Sequence, residues 1–185
     1  MERTRCSYKI HLILVLVMGW SALSSSAQNG AVVKSGDALL VALPVSALGV
    51  TLLKKDRQGT WQFTKGFVLN QAITFGLKEA LNKPRPDLSD TNAFPSGHTS
   101  TTFQSAAYIQ RRFGWKYGLP SYALAAFTGY SRINARKHDG WDVVAGALLG
   151  VGTAYLFTTP HQREHMEISF LGGNGRFLIA CRYTF

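Results

Sequence analysis

The sequence predicts an all-α protein, a membrane-embedded bundle of about five to six helices that ends in a short β-hairpin. Three observations support this fold class. Apolar segments of helical length are separated by short loops rich in Pro, Gly and charged residues. Apolar residues make up 46% of the 185 residues and charged residues only 16%, which is low for a soluble domain. The C-terminal tail differs from the rest, because apolar residues flank an Asn-Gly pair there.

The N-terminus has the composition of a secretory signal. Arg3, Arg5 and Lys9 precede an apolar run at 10–23, and small residues follow as far as Ala27. The run is either cleaved after Ala27 or kept as a first membrane helix, and its short length favours cleavage. Both alternatives direct the chain across a membrane. The basic, Ser-rich beginning and the final Phe185 predict a bacterial cell-envelope protein. We expect three parts: a signal peptide or first membrane helix at 1–27, a helical domain at 28–160 and a tail at 161–185.

The central region predicts five further helices, at residues 37–53, 63–81, 96–112, 120–132 and 141–158. The first is almost wholly apolar with a possible kink at Pro44, and its uniform hydrophobicity favours a membrane span over a buried core helix. The third is rich in Ser, Thr and Ala. It is too polar to face lipid, so we expect it inside the bundle or in a soluble helical domain. The fifth carries Gly146, Gly150 and Gly152, which would let neighbouring helices approach closely.

The basic loops suggest an orientation for helices that span a membrane. Loops 54–57 and 111–116 are both basic and would lie on the inner side. Segments 78–98 and 132–142 would then lie together on the outer side. Two segments far apart in the chain thus share one face, as an active site requires.

The tail predicts a β-hairpin with arms at 167–171 and 176–185 around a turn at 172–175. One hairpin cannot close a barrel, so we interpret it as a structural lid or a docking element. The two cysteines, Cys6 and Cys181, provide no disulfide framework or metal-binding cluster.

Three clusters of polar residues stand out in the segments expected to share a face. They are Lys78 followed after six residues by Arg85-Pro86, then Pro95-Ser96-Gly97-His98, and then Ser131-Arg132, five residues, His138, three residues and Asp142. Each cluster alone is also explained by solvated charges, a helix cap or a structural histidine. Their occurrence together, in order and on one face, indicates an active site.

The residue types in these clusters suit a phosphoryl group, whose charge is spread over its equatorial oxygens during transfer. Lys78, Arg85 and Arg132 supply three cations, and arginine forks fit phosphate oxygens. Ser96 and Gly97 open a helix whose free N–H groups favour an anion, and glycine lets the backbone come close to it. We therefore expect these five residues to bind phosphate.

Together the clusters resemble the complete motif set of the type-2 phosphatidic acid phosphatase superfamily, K-x6-RP, PSGH and SR-x5-H-x3-D, over residues 63–157. That superfamily also includes bacterial acid phosphatases and vanadium haloperoxidases. The resemblance implies that His138 attacks phosphorus and forms a phosphohistidine. It implies that Asp142 accepts a hydrogen bond from the other imidazole nitrogen, and that His98 protonates the leaving oxygen and then activates water. A cage of cations with a histidine nucleophile needs no divalent metal, and few free carboxylates lie near the motifs to hold one, so we expect no metal or other cofactor.

These inferences predict a phosphatase for a phosphate monoester or pyrophosphate on a lipid, at the periplasmic face of the cytoplasmic membrane. Candidate substrates are phospholipid or isoprenoid phosphates such as phosphatidic acid, phosphatidylglycerol phosphate and undecaprenyl pyrophosphate, and the phosphates of lipid A. The net charge of +10 suits anionic partners, and the sequence has no nucleic-acid-binding motif. A mean hydropathy near zero leaves open a soluble periplasmic non-specific acid phosphatase. A vanadium haloperoxidase and a non-enzymatic assembly protein are further alternatives.

Other polar residues carry weaker signals. Lys83, Asp87 and Lys137 lie beside motif residues, and we interpret them as solvated loop charges that tune substrate choice at most. His161 and His165 have the spacing of a zinc pair but lack the H-E-x-x-H pattern, so they predict a polar helix end and no metal site.

Overall fold

The computed structural model describes residues 30–161, 166–173 and 176–183. Within them lie five α-helices: α1 (Gly30–Leu53), α2 (Arg57–Leu81), α3 (Gly97–Phe113), α4 (Trp115–Asn134) and α5 (Gly140–Phe157). Two strands follow, β1 (Met166–Gly173) and β2 (Arg176–Tyr183). The predicted helical bundle is confirmed, whereas the predicted signal segment lies outside the described residues.

The strands β1 and β2 pair in antiparallel register, from Met166 opposite Tyr183 to Gly173 opposite Arg176. They occupy the segments in which the sequence predicts the two arms of a hairpin. Positions 174 and 175 of the predicted turn lie outside the described residues.

The polar helix α3 is the centre of the bundle and packs against α2, α4 and α5. Its buried side chains are mostly small and polar. They satisfy their hydrogen-bonding groups locally: Thr102 Oγ1 donates to His98 O (2.9 Å) and Ser105 Oγ donates to Thr101 O (3.0 Å). Because these hydroxyls are paired, their burial is tolerated. The prediction that this helix lies inside the bundle is confirmed.

Two glycines of α5 allow α3 to approach closely. A Cβ on Gly146 would lie 2.6 Å from Ser96 O, and one on Gly150 would lie 2.3 Å from Ser100 O. Any side chain at these positions would force the two helices apart. The prediction is wrong for Gly152, where a Cβ would meet nothing within 4 Å.

Three helices begin several residues earlier than predicted: α1 is already helical at Gly30 instead of residue 37, and local caps move the starts of α2 and α4. Asp56 Oδ1 accepts a hydrogen bond from the Gly59 amide at 2.8 Å, so α2 starts at Arg57 instead of residue 63. Gly114, with a φ of 90°, ends α3 and is followed at once by α4. The predicted start at Pro120 is therefore wrong, and this proline lies inside α4.

Among the described helices, α1 and α5 are long and apolar enough to cross a membrane. α1 buries Leu43 and Ala47 against the bundle but leaves Val41 and Val45 more than half exposed. The alternative that α1 is a buried core helix is therefore wrong.

Candidate active site

The three motif clusters meet at one end of the bundle. α2 and α4 end there, α3 and α5 begin there, and loops 82–96 and 135–139 connect them. The Ser96 amide donates to Asp142 O at 2.9 Å, which joins the starts of α3 and α5. Asp37, in the N-terminal half of α1, contacts the same end. Residues that are distant in sequence thus form one site.

Ser96 and Gly97 form the start of α3 at this site. Ser96 is fully buried, and its Oγ accepts hydrogen bonds from Thr99 Oγ1 (3.0 Å) and from the Thr99 amide (3.5 Å), which makes it the N-cap. A Cβ on Gly97 would lie 3.7 Å from Lys78 Cε, an ordinary contact, so packing does not demand glycine here. The positive end of the α3 dipole therefore lies beside the Lys78 side chain, and both favour an anion.

The structure defines the tautomer of His138. Its Nδ1 lies 2.7 Å from Ala93 O, and a carbonyl oxygen can only accept, so Nδ1 carries the proton. Nε2 of the neutral ring then keeps its lone pair. Burial, followed by the charges of Lys78 and Arg85, lowers the pKa of His138 to about 4 against the opposing effects of Ala93 O and Asp142. At neutral pH the ring is uncharged, and the lone pair of Nε2 is available.

Asp142 has a different hydrogen-bonding role from the one expected. Its Oδ2 lies 3.7 Å from His138 Nδ1, beyond hydrogen-bonding distance, and the acceptor for that nitrogen is the carbonyl of Ala93. Asp142 instead forms a capping box with Asp139, in which each carboxylate accepts from the amide of the other residue at 2.9–3.0 Å. Asp142 therefore organises the start of α5 and adds a negative charge near the imidazole.

Lys83 holds this capping box in place. Its Nζ donates to Asp142 Oδ1 at 2.7 Å and to Asp139 Oδ2 at 2.5 Å. Burial lowers the pKa of Lys83, but the two carboxylates outweigh that effect and raise it. The Lys83 carbonyl also accepts from the Ala93 amide at 2.9 Å. The interpretation of Lys83 as a solvated charge is wrong, because it joins Asp142 to the segment that orients His138.

Lys78 and Arg85 supply positive charge close to His138. Lys78 Nζ donates to Asn92 O at 2.5 Å, and burial, together with the charge of Arg85, lowers its pKa. Arg85 Nη2 pairs with Asp90 at 3.2 Å. Arg85 Nε is buried and has no hydrogen-bond partner among the described residues. A buried guanidinium donor without a partner is costly, so it indicates a place where an anion binds.

Arg132 and His98 converge on one carboxylate oxygen. Arg132 Nη1 donates to Asp37 Oδ1 at 2.8 Å, and His98 Nε2 lies 3.0 Å from the same atom. The remaining nitrogens of Arg132 donate to Ser131 Oγ (3.1 Å) and to Val33 O (2.9 Å). Arg132 is thus nearly buried and fixed in orientation, whereas the His98 side chain is partly exposed.

The residues that sequence reasoning missed at this site are Asp37, Lys83 and the carbonyl of Ala93. Asp37 is the one acidic residue of the largely apolar helix α1, and a carboxylate in a potential membrane span is a signal of function. Lys83 offered no comparable signal, because its role depends on the path of loop 82–96.

The weaker candidates lie apart from this arrangement. Lys137 Nζ pairs with Asp87 Oδ2 at 2.6 Å on the rim. His161 Nδ1 lies 3.6 Å from Asp56 at the opposite end of the bundle, and His165 is outside the described residues.

The fold and the site define a class of protein: a helical bundle with a buried, neutral histidine beside partly buried cations. Residues 59–166 match the family model of the PAP2 superfamily. The chain belongs to the PAP2 superfamily, which confirms the resemblance of its motifs, and it is a phosphoric monoester hydrolase.

Relatives and a solved structure agree with this assignment. A protein named lipid A 4'-phosphatase from Helicobacter pylori is 33% identical over 157 residues, which cover 76% of this chain and 79% of that protein. A lipid A 1-phosphatase from Porphyromonas gingivalis is 33% identical over 105 residues, or 52% of this chain and 24% of that protein. The crystal structure of Aquifex aeolicus LpxE has a TM-score of 0.62 at 20% identity, covers 70% of this chain and 84% of that one, and has the same fold.

Proposed function

We propose that this enzyme hydrolyses a phosphate monoester of a lipid of the lipid A type and releases inorganic phosphate, through a phosphohistidine on Nε2 of His138. The observation that carries the proposal is the hydrogen bond from His138 Nδ1 to Ala93 O, which leaves a neutral ring with a free Nε2. Lys78 and Arg85 are close enough to lower the pKa of the ring, so the lone pair lies among cations that attract phosphate.

In the first step, the lone pair of His138 Nε2 attacks phosphorus. The N–P bond forms as the bond from phosphorus to the lipid oxygen breaks, and this oxygen takes a proton from His98. The products are the lipid alcohol and a phosphohistidine. The Nδ1 proton remains on its nitrogen, because Ala93 O stabilises the positive charge that the ring acquires.

In the second step, water attacks the phosphorus of the phosphohistidine. His98, now neutral, accepts a proton from the water, the P–N bond breaks, and its electron pair returns to Nε2 of His138. Inorganic phosphate leaves, and both histidines regain their initial states. Neither step calls for a metal ion or a redox change.

The remaining predicted residues stabilise the charge of the transferring group. Lys78 and Arg85 act on His138, and Arg132 and Arg85 act on His98, so the three cations lie beside the two histidines of the mechanism. The first turn of α3 supplies backbone donors. The unpartnered Nε of Arg85 supports a contact with a phosphate oxygen. Gly97 lies in the first turn of α3 beside Lys78, where we propose that its backbone contacts the phosphate.

The outer surface of the bundle supports a lipid substrate and a place in the membrane. Large aliphatic side chains are exposed along α1 and α5, among them Val41, Val45, Leu148 and Leu156. Exposed aromatic residues flank them at the two ends, with Trp61, Trp115 and Tyr117 at one end and Tyr130 and Trp141 at the site end. Aromatic residues at both ends of an apolar band are typical of membrane interfaces. We assign the site end to the periplasmic side, because the basic loops 54–57 and 111–116 lie at the other end.

The same reasoning extends to the organisation of the chain. We propose residues 28–160 as the phosphatase domain and residues 161–185 as a separate tail. The family match at 59–166 lies mostly within the proposed domain and extends into the first residues of the tail. We assign 1–27 as the segment that directs export. The relatives named as lipid A phosphatases support a substrate of the lipid A type. They differ in the phosphate position in their names, so the assay compares both positions.

The test is phosphate release by detergent-purified protein in EDTA. Substrates would be lipid A bearing either one of its phosphates, phosphatidic acid, undecaprenyl pyrophosphate and p-nitrophenyl phosphate. We expect release mainly from lipid A, abolished by His138→Gln and retained by His161→Gln, a matched control at the opposite end of the bundle. Release from p-nitrophenyl phosphate alone would instead support a soluble acid phosphatase. Vanadate-dependent bromide oxidation without phosphate release would support a haloperoxidase.

A further inference from the structure

A carboxylate of α1 lies between two groups of the active site. Asp37 Oδ1 is 3.0 Å from His98 Nε2 and 2.8 Å from Arg132 Nη1. These contacts join positions 61 and 95 residues apart in sequence. Asp37 precedes the part of the chain that matches the family model, residues 59–166. The active site therefore includes a side chain from outside the motif-bearing region.

The backbone of α1 is fitted closely to α4 around this carboxylate. A Cβ on Gly36 would lie 2.0 Å from Ser131 Oγ and 3.0 Å from Arg132 Nη2. One helical turn before Asp37, Val33 O accepts from Arg132 Nη2 at 2.9 Å. Val33, Gly36 and Asp37 of α1 therefore all contact Ser131 or Arg132. The close packing of the two helices fixes the position of the Asp37 side chain, although that side chain is half exposed.

The charges that face His98 explain what the carboxylate does. Arg132 approaches from α4, Arg85 from loop 82–96 and Asp37 from α1. Burial and then Arg132 lower the pKa of His98, Arg85 adds to this effect, and Asp37 opposes them. A group that donates a proton to a leaving oxygen must hold that proton at the working pH. Two arginines make this difficult for His98 unless an anion is close to it.

We propose that Asp37 is a positioning residue, which fixes the proton-donating imidazole of His98 and the guanidinium of Arg132 in one arrangement. The carboxylate binds Nε2 of His98 and leaves Nδ1 for the leaving oxygen. Nδ1 has no hydrogen bond within the described part of the chain, and the ring is partly exposed. The inference rests on the proposed function, since it assigns a partner to the proton donor of the first step.

The test compares Asp37→Asn with Glu79→Gln, an exposed carboxylate at the same end of the bundle. Rates of hydrolysis would be measured from pH 4 to 9 on an alkyl phosphate and on p-nitrophenyl phosphate. The p-nitrophenolate leaving group of the second ester departs with little protonation by a general acid. We expect Asp37→Asn to lose about tenfold to a hundredfold on the alkyl ester and much less on the aryl ester. The alkaline limb of the pH–rate profile of Asp37→Asn should move about one pH unit towards acid, because the protonated imidazole of His98 no longer has the Asp37 carboxylate beside it. Glu79→Gln should resemble the wild type.

Equal losses on both esters, or an alkaline limb that does not move, would overturn the inference. So would tighter inhibition by inorganic phosphate in Asp37→Asn, because that result would make Asp37 a competitor for the phosphate subsite. A retained wild-type rate on the alkyl ester would overturn it as well.

A second measurement separates this inference from the proposed function. The titration of His98 is followed by NMR of histidine-labelled protein, with His98→Gln to assign its signal. We expect Asp37→Asn to lower the midpoint by about one unit and Glu79→Gln to leave it unchanged. An unchanged midpoint in Asp37→Asn would overturn the role of Asp37 even in an active enzyme. A lowered midpoint would uphold it even if none of the tested esters were hydrolysed, an outcome that would count against the proposed function alone.

Discussion

Gly36→Ala tests whether α1 is part of the active site. Gly36 lies against Ser131, where the added Cβ would be 2.0 Å from Oγ and 2.8 Å from Cβ. Rotation of the Ser131 side chain does not relieve the clash, because its Cβ is also too close. Ser131 is fully buried, and its hydroxyl is held by Thr128 O at 2.7 Å. We therefore expect α1 to withdraw from α4.

The size of the effect follows from these distances. Carbon atoms pack at about 3.5–4.0 Å, so a contact of 2.8 Å requires a shift of roughly one ångström. Such a shift would stretch the hydrogen bonds of Arg132 to Asp37 and Val33, now 2.8 and 2.9 Å, beyond useful length. Overpacking of this kind costs about 1–3 kcal/mol of stability, and a displacement of about 1 Å at a catalytic site costs about a hundredfold in rate.

The assay is kcat on the preferred ester together with the free energy of unfolding in detergent. Gly49→Ala is the matched control, since it lies on the same helix and its Cβ would meet nothing within 4 Å. That variant should keep its activity and gain up to about 1 kcal/mol from helix propensity. A Gly36→Ala enzyme with the wild-type rate would refute the docking of α1 against the site.

Four further results are expected. Lys83→Met leaves the buried carboxylate of Asp142 without its cation, so stability should fall by about 1–3 kcal/mol and kcat by about tenfold in denaturation and rate measurements. Because His138 must be neutral to attack and its pKa is about 4, the acid limb of kcat/KM should lie near pH 4 instead of 6.5. The unfolded imidazole gains its proton near pH 6.5, so the free energy of unfolding should fall by about 3 kcal/mol between pH 6.5 and 4, and His138→Gln should lack this change. Asp56→Asn breaks a buried two-pronged pair with Arg112 (2.7 and 2.8 Å) at the opposite end and should cost about 3–5 kcal/mol in chemical denaturation without changing kcat.

The sequence was sufficient to predict the elements of the site that depend on short spacings. Each of these features depends on the residues of a single segment. They are the Ser96 cap, the apolar character of α1 and α5 and the polar character of α3. Short connections make consecutive helices antiparallel, so the ends of α2 and α4 lie beside the starts of α3 and α5. The motif clusters are located at these ends and therefore meet.

What could not be predicted depends on packing between distant segments. The contact of Asp37 with Arg132 follows from the close fit of Gly36 on Ser131, and no spacing within α1 encodes it. The acceptor for His138 is a backbone carbonyl, that of Ala93, which any residue type would offer. A carboxylate four residues after a histidine is the more obvious acceptor, so reasoning from spacing selected Asp142.

The central claim is that Nε2 of His138 becomes phosphorylated during turnover. The most direct measurement is rapid acid-free quenching of the enzyme with a radiolabelled phosphate ester, followed by peptide mapping. We expect an acid-labile, alkali-stable phosphate on the peptide that contains His138, absent from His138→Gln and accumulated in His98→Ala with an aryl ester. Phosphate attached to another residue, or turnover retained by His138→Gln, would contradict the mechanism.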